Sequence, residues 1–197
     1  IAVALGAGWA SGLNAYAAVL VLGLAQRFHV VALPADLQVL GSPWVMAVAA
    51  LLFALNFLAD KIPYVDSLND ILQTFVRVPA GILLAYGAAA GLSPEVSVIA
   101  GLLGGTLAAG THIAKTGTRA LINTSPEPFS NWTASFSEDA LSIGAVWTAL
   151  VYPMVFLGFL IVFFILAIWL LPKLWRGLSR VRAAIRELFG RPAAGTP

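Results

Sequence analysis

The amino-acid sequence predicts an all-α membrane protein of about six transmembrane helices. Three observations predict it: scarce charge, long uncharged stretches, and the placement of the basic residues. Of 197 residues, 60% are hydrophobic and 10% charged, whereas soluble domains carry roughly 25% charged residues. The surplus apolar surface has to face lipid, which argues against a soluble enzyme or a nucleic-acid-binding module.

A spanning helix needs about 20 predominantly apolar residues. Uncharged stretches cover 1–26, 37–59, 78–94, 96–114 and 140–172. The first lacks a basic leader and is too long for a signal core, so it is expected to be a retained span. The third is short, but flanking polar residues can reach the interface. The last is interrupted by Pro153 and is long enough for a tight hairpin of two spans.

Basic residues favour the cytoplasmic side. Six crossings with both termini inside put ten of the eleven Lys and Arg in the cytoplasm and leave only Arg27 outside, whereas five crossings leave four outside. Interfacial aromatics agree with the boundaries at Trp44, Tyr64, Trp132, Trp169 and Trp175, and Trp147 departs from the pattern. Residues 1–172 thus form a transmembrane domain. The segment 173–197, with five arginines and Lys173, reads as a basic amphipathic tail on the anionic inner leaflet.

An internal repeat is suggested by Leu5-Gly6-Ala7-Gly8-Trp9-Ala10-Ser11-Gly12-Leu13-Asn14 and Leu103-Gly104-Gly105-Thr106-Leu107-Ala108-Ala109-Gly110-Thr111-His112. Halves 1–92 and 96–172 with three spans each would be inverted, an arrangement common in transporters with a site near mid-membrane. Small residues at four-residue spacing, Ala4, Gly8 and Gly12 against Gly101 and Gly105, allow close helix packing, within one chain or in a homodimer.

Polar groups inside a bilayer need partners or water. Asn14 stands mid-way along the first stretch, where Ser11-Gly12 beside it permits a break in the helix; an interhelical hydrogen bond is the simpler alternative. Asn56 and Asp60 share a helix face, as do Asp66 and Asp70, because four residues make about one turn. The three carboxylates could bind a cation or share a proton, or be neutralised by Lys61 and Arg77 in a wet loop. His112, Lys115, Arg119 and Asn123 follow at offsets of three and four and line one side of a helix. That stripe suits an anion or the lipid headgroups. Asn131, Glu138 and Asp139 come next, and the two acids could meet Lys115 and Arg119.

No cysteine is present, so thiol nucleophiles, disulfides and thiolate metal sites are excluded. Hydrolytic metal motifs, a Ser/His/Asp set and phosphate-cradling loops are missing too, so no cofactor is expected and enzymatic chemistry would rest on His112 with a carboxylate.

Ser11-Gly12-Leu13-Asn14-Ala15-Tyr16, Ala59-Asp60-Lys61-Ile62-Pro63 through Asp66 and Asp70, and Lys115-Thr116-Gly117-Thr118-Arg119 through Asn123-Thr124-Ser125-Pro126-Glu127-Pro128-Phe129-Ser130-Asn131-Trp132 resemble a family of bacterial inner-membrane proteins known only as a domain of unknown function. The resemblance covers most of the chain and implies that its polar segments form the working surface. That family commonly carries Glu where Asn56 stands and an aromatic at Asn69, so either position 56 is altered here or a proton- or cation-handling role there belongs to Asp60. The expected function is a transporter or channel for a small ion or anionic solute, coupled to protons or cations. The alternatives are a partner-binding scaffold and a lipid-phosphate handler.

Overall fold

The computed structural model describes residues 1–62, 65–123 and 128–189. Among them the chain is all-α, with six α-helices and one 3-10 helix. They are α1 (Ala2–Arg27), the 3-10 helix Ala35–Gly41, α2 (Pro43–Ala59), α3 (Val65–Ala89), α4 (Pro94–Ile122), α5 (Pro128–Val151) and α6 (Pro153–Phe189). Prolines open α2, α4, α5 and α6, where a fixed φ and a missing N–H cost nothing. Ser93 caps α4, its Oγ accepting from the Val96 N–H.

By length and composition α1, α3 and α4 could each cross a membrane, and the 3-10 helix with α2, bent by 68°, would make a fourth. The apolar residues point outward: Trp44, Leu51, Leu55 and Leu58 on α2 are exposed, as are Met154, Ile161 and Ile168 on α6. This is the surface of a multi-pass membrane protein.

Two sequence expectations are corrected. The third span was placed at 78–94, yet α3 begins at Val65. Its charged first half, Asp66 to Arg77, is no wet loop: Asp66, Asp70 and Arg77 are buried. Hydropathy counts charges without regard to the face that carries them, and these face inward.

The first stretch was expected to cross from end to end. Instead α1 breaks at Asn14, whose backbone is extended (φ −151°, ψ 100°), and reverses. In the first arm Gly8 abuts Gly104 and Gly12 abuts Thr111, so this arm runs alongside α4 in the same direction. It ends against α5, where Asn14 meets Asp139 and Ala10 meets Ser142. In the second arm Tyr16 and Val19 lie beside Val48 and Leu52, and Gly23 meets Leu40 and Met46, so this arm runs opposite to α2. Both ends of α1 therefore lie near the C-terminal end of α3: Ala4 packs with Ala85 and Ala89, while Leu37, just beyond the second arm, meets Gly87. Ile1 consequently sits at the opposite end of the bundle from the end of α6, not at the same end as expected.

The first arm of α1 is the centre of the bundle, contacted by α3, α4 and α5. Small residues make this possible. A Cβ added at Gly8 would stand 2.5 Å from the Gly104 Cα, and one at Gly12 would overlap Thr111. Asn14 also caps the second arm, its Oδ1 accepting from the Ala17 N–H at 3.1 Å.

Tyr152 alone separates α5 from α6, so the narrow hairpin expected at Pro153 is made. The expected basic tail continues α6 to Phe189. Pro63, Tyr64, Thr124 to Glu127, residues 190–197 with Arg191, and the side chains of Trp175, Arg180, Arg182 and Arg186 lie outside the described residues.

Candidate functional site

The end of α2, the start of α3, the end of α4 and the start of α5 meet at one end of the bundle, and the Asn14 tip of α1 reaches toward them from the other. The acidic residues come from α3, α5 and the turn after α2, the basic ones mostly from α4, and they converge in a single buried network.

Lys115 lies at its centre. Its Nζ is 2.9 Å from Asp60 Oδ2, 3.2 Å from Glu138 Oε2 and 3.5 Å from Asp70 Oδ1. Arg119, one turn on, holds Glu138 with both prongs of its guanidinium, Nε to Oε1 at 2.9 Å and Nη2 to Oε2 at 2.8 Å. This fork geometry is unavailable to lysine. Its Nη1 donates to the Asn131 carbonyl and side-chain oxygens and to the Asp60 carbonyl, and lies 4.0 Å from Asp66 Oδ1. Arg77, 0% exposed, donates from Nη1 to Asp70 Oδ1 at 2.9 Å and from Nη2 to Asn56 Oδ1 at 3.4 Å.

The tautomer of His112 follows from its neighbours. Arg77 Nη1 stands 3.0 Å from His112 Nδ1, and a guanidinium can only donate, so Nδ1 accepts and Nε2 carries the hydrogen. Nε2 then donates to Thr74 Oγ1 at 2.7 Å, whose own hydrogen goes to the Asp70 carbonyl. The imidazole is neutral in this arrangement.

Burial alone would raise the Asp60 carboxyl, but the adjacent Lys115 ammonium, with Arg77 and Arg119 behind it, holds it below the ordinary carboxylate range. Asn56 and Asn69 complete its shell: Asn56 Nδ2 donates to Oδ2, and Asn69 Nδ2 to Oδ1 and to Asn56 Oδ1. Asn123 Nδ2 donates to Asp66 Oδ2. Lys61 stays apart from the network, its ammonium lying over the Phe57 ring and bonded to the Phe57 carbonyl.

Asp60, Asp66 and Asp70 each present an oxygen within 4.8 Å of the others, a spacing that a cation could bridge. Lys115, Arg77 and Arg119 already approach these carboxylates, so a metal ion there would compete with three fixed positive charges. Among the described residues, Asp66 Oδ1, Asp70 Oδ2 and Asp139 Oδ2 are buried and lack a hydrogen-bond partner.

Two clefts reach the network from opposite sides of α4. One, of about 420 Å³, is lined by Asp70, Thr74, His112, Thr116 and Arg119. The other, of about 250 Å³, has Lys115 and Glu138 among walls formed by Trp9, Phe159 and Phe163.

Thirteen of the fourteen residues selected from the sequence thus belong to one assembly or its tip, with Lys61 at its margin. Sequence reasoning missed Asn69, Thr74 and Tyr16, the last accepting from Gln73 Nε2 at 3.3 Å. The helical offset of four that joins Asp70 to Thr74 was the available signal.

No curated protein and no solved structure matches the chain. Residues 1–173 match the family described as Domain of unknown function (DUF4126), and because the match extends over most of the sequence the chain belongs to that family.

Proposed function

We propose that this protein is a transporter or channel of the bacterial inner membrane that moves protons or a small cation. One observation carries the reading: four buried carboxylates and the half-buried Glu138 meet three buried cations beside a helix that breaks mid-way. Buried ionisable groups are expensive within a membrane and mark ion pathways, and broken helices bring backbone polar groups to such sites.

A cation suits the network better than an anionic solute. Arg77, Lys115 and Arg119 are each matched by carboxylates, so an anion would have to displace one. The docking-scaffold reading needs these charges exposed, and they are buried.

In the proposed topology α1 enters and returns at the outer face, and α2 to α6 make five crossings. Arg27 then lies outside and Lys61, Arg77, Lys115, Arg119, Lys173 and Arg176 toward the cytoplasmic side, satisfying the positive-inside rule with Ile1 outside. The repeat halves 1–92 and 96–172 touch where Gly8 meets Gly104, but there the first arm of α1 and α4 run in the same direction, whereas inverted halves would oppose them. Elsewhere they differ, since Asn14 breaks α1 while α4 runs unbroken through His112.

Purified protein in liposomes, loaded with a pH-sensitive dye and tested with monovalent and divalent cations, should show flux that Lys115→Met alters. Absence of proton and cation flux across the series would remove the proposal.

A further inference from the structure

Four of the five carboxylates have a positive partner: Asp60 has Lys115, Asp70 has Arg77, Glu138 has Arg119, and Asp66 has Arg119 at 4.0 Å. Asp139 has none within ion-pair distance among the described residues. Its Oδ1 accepts from Asn14 Nδ2 at 2.8 Å, its Oδ2 has no partner, and the residue is 7% exposed. The charged groups acting on it are Lys115 of α4, Asp60 and Lys61 from the turn after α2, and Glu138 of its own helix. From α1 it faces Asn14, while Ser142, one turn along α5, gives its hydroxyl to the α1 carbonyls of Ala10 and Asn14.

We propose that Asp139 carries the exchangeable proton of this network and that Asn14 is its positioning residue. The argument is one of charge and solvation. Asp60, Asp66, Asp70 and Glu138 each stand within 4.0 Å of a cationic nitrogen, and Asp139 alone of the five does not. The proton belongs on the carboxyl with the least positive company, because an unpaired ionised carboxylate out of water costs far more than a neutral acid. When a proton binds, the O–H bond forms at the open Oδ2 and leaves the Asn14 hydrogen bond to Oδ1 in place.

Asn14 gives the proton a mechanical reading. One amide atom holds Asp139, and the other caps the returning arm of α1 through the Ala17 N–H. A change of charge at Asp139 therefore acts on the break in α1. This rests on the transport reading for its purpose, and on the geometry alone for its existence.

Infrared spectroscopy of the full protein in lipid nanodiscs tests it without measuring flux. A protonated-carboxyl C=O band is expected at neutral pH, with intensity equal to one carboxyl lost in Asp139→Asn and kept in Asp60→Asn. In Asn14→Ala the band should remain and shift, because Oδ1 loses its donor. An unchanged band in Asp139→Asn overturns the proposal, and an unshifted band in Asn14→Ala overturns the role of Asn14. Should Asp139→Asn fail to fold, Asp139→Glu serves: the band must persist and move, and an identical spectrum refutes the assignment. A band without any flux would remove the transport reading and leave this one standing. Proton flux with no band would do the reverse.

Discussion

Replacing Lys115 with Met keeps the length of the side chain and removes the ammonium on which three carboxylates converge. The 2.9 Å bond to Asp60 is lost, and with it the contacts at 3.2 Å and 3.5 Å to Glu138 and Asp70. Glu138 keeps Arg119 and Asp70 keeps Arg77, so Asp60 bears most of the loss. Removing one partner of a buried ion pair costs about 3–5 kcal/mol. For a chain of this size each kcal/mol corresponds to roughly 2–4 °C, so the melting temperature in detergent or nanodiscs should fall by about 6–20 °C. Neutralising the stranded acid should recover much of it, so Lys115→Met with Asp60→Asn is expected to melt above Lys115→Met alone, with a coupling of about 0.5–3 kcal/mol. A fall of under about 2 °C in the single variant, below the lower bound of that conversion, would mean that Lys115 is not buried against these carboxylates. Strict additivity in the double variant would mean that the two do not form a pair.

Two further outcomes follow from the structure. Gly12→Val should destabilise the protein by about 1–3 kcal/mol or prevent folding, because the added methyls meet Thr111 and the Ala108 carbonyl; chemical unfolding checks it, and a wild-type midpoint would place Gly12 away from α4. Acid should weaken the fold through Asp60: its carboxyl is held below the ordinary value, so its contribution is present above about pH 4 and lost as the pH falls through its lowered value. Melting measured against pH should therefore slope more steeply in the wild type than in Asp60→Asn, and parallel slopes would refute the assignment.

The residues of the network were legible because helical offsets do not depend on what a helix packs against. Asp66 and Asp70, and His112, Lys115 and Arg119, each form a stripe in any helix that contains them. Burial was not legible from the same letters, since a stripe of charge reads alike whether it faces headgroups or a paired interior. The extra length of α3 was hidden for that reason. The reversal of α1 was hidden for another: 26 residues make one crossing or two arms equally well by length and hydropathy, and one extended residue decides between them. The possibility of a break at Asn14 was visible in its Ser-Gly context, while the direction taken after it emerges only from contacts far along the chain. Asn56 and Asn69 bond to each other and to Asp60, a contact between α2 and α3 that no helical offset announces.

Three hydroxyls near the tip of α1 spend their hydrogens on distant backbone: Thr111 on the Trp9 carbonyl, Ser142 on those of Ala10 and Asn14, and Ser11 on that of Arg77. Ser11, Thr111 and Ser142 are buried, so no water is at hand to replace these acceptors. Sliding α3, α4 or α5 along the first arm of α1 would take the hydroxyls off them, so these four pieces move together as a chassis. Any motion against this chassis then falls to α6, whose described side chains make no hydrogen bond or ion pair to another helix.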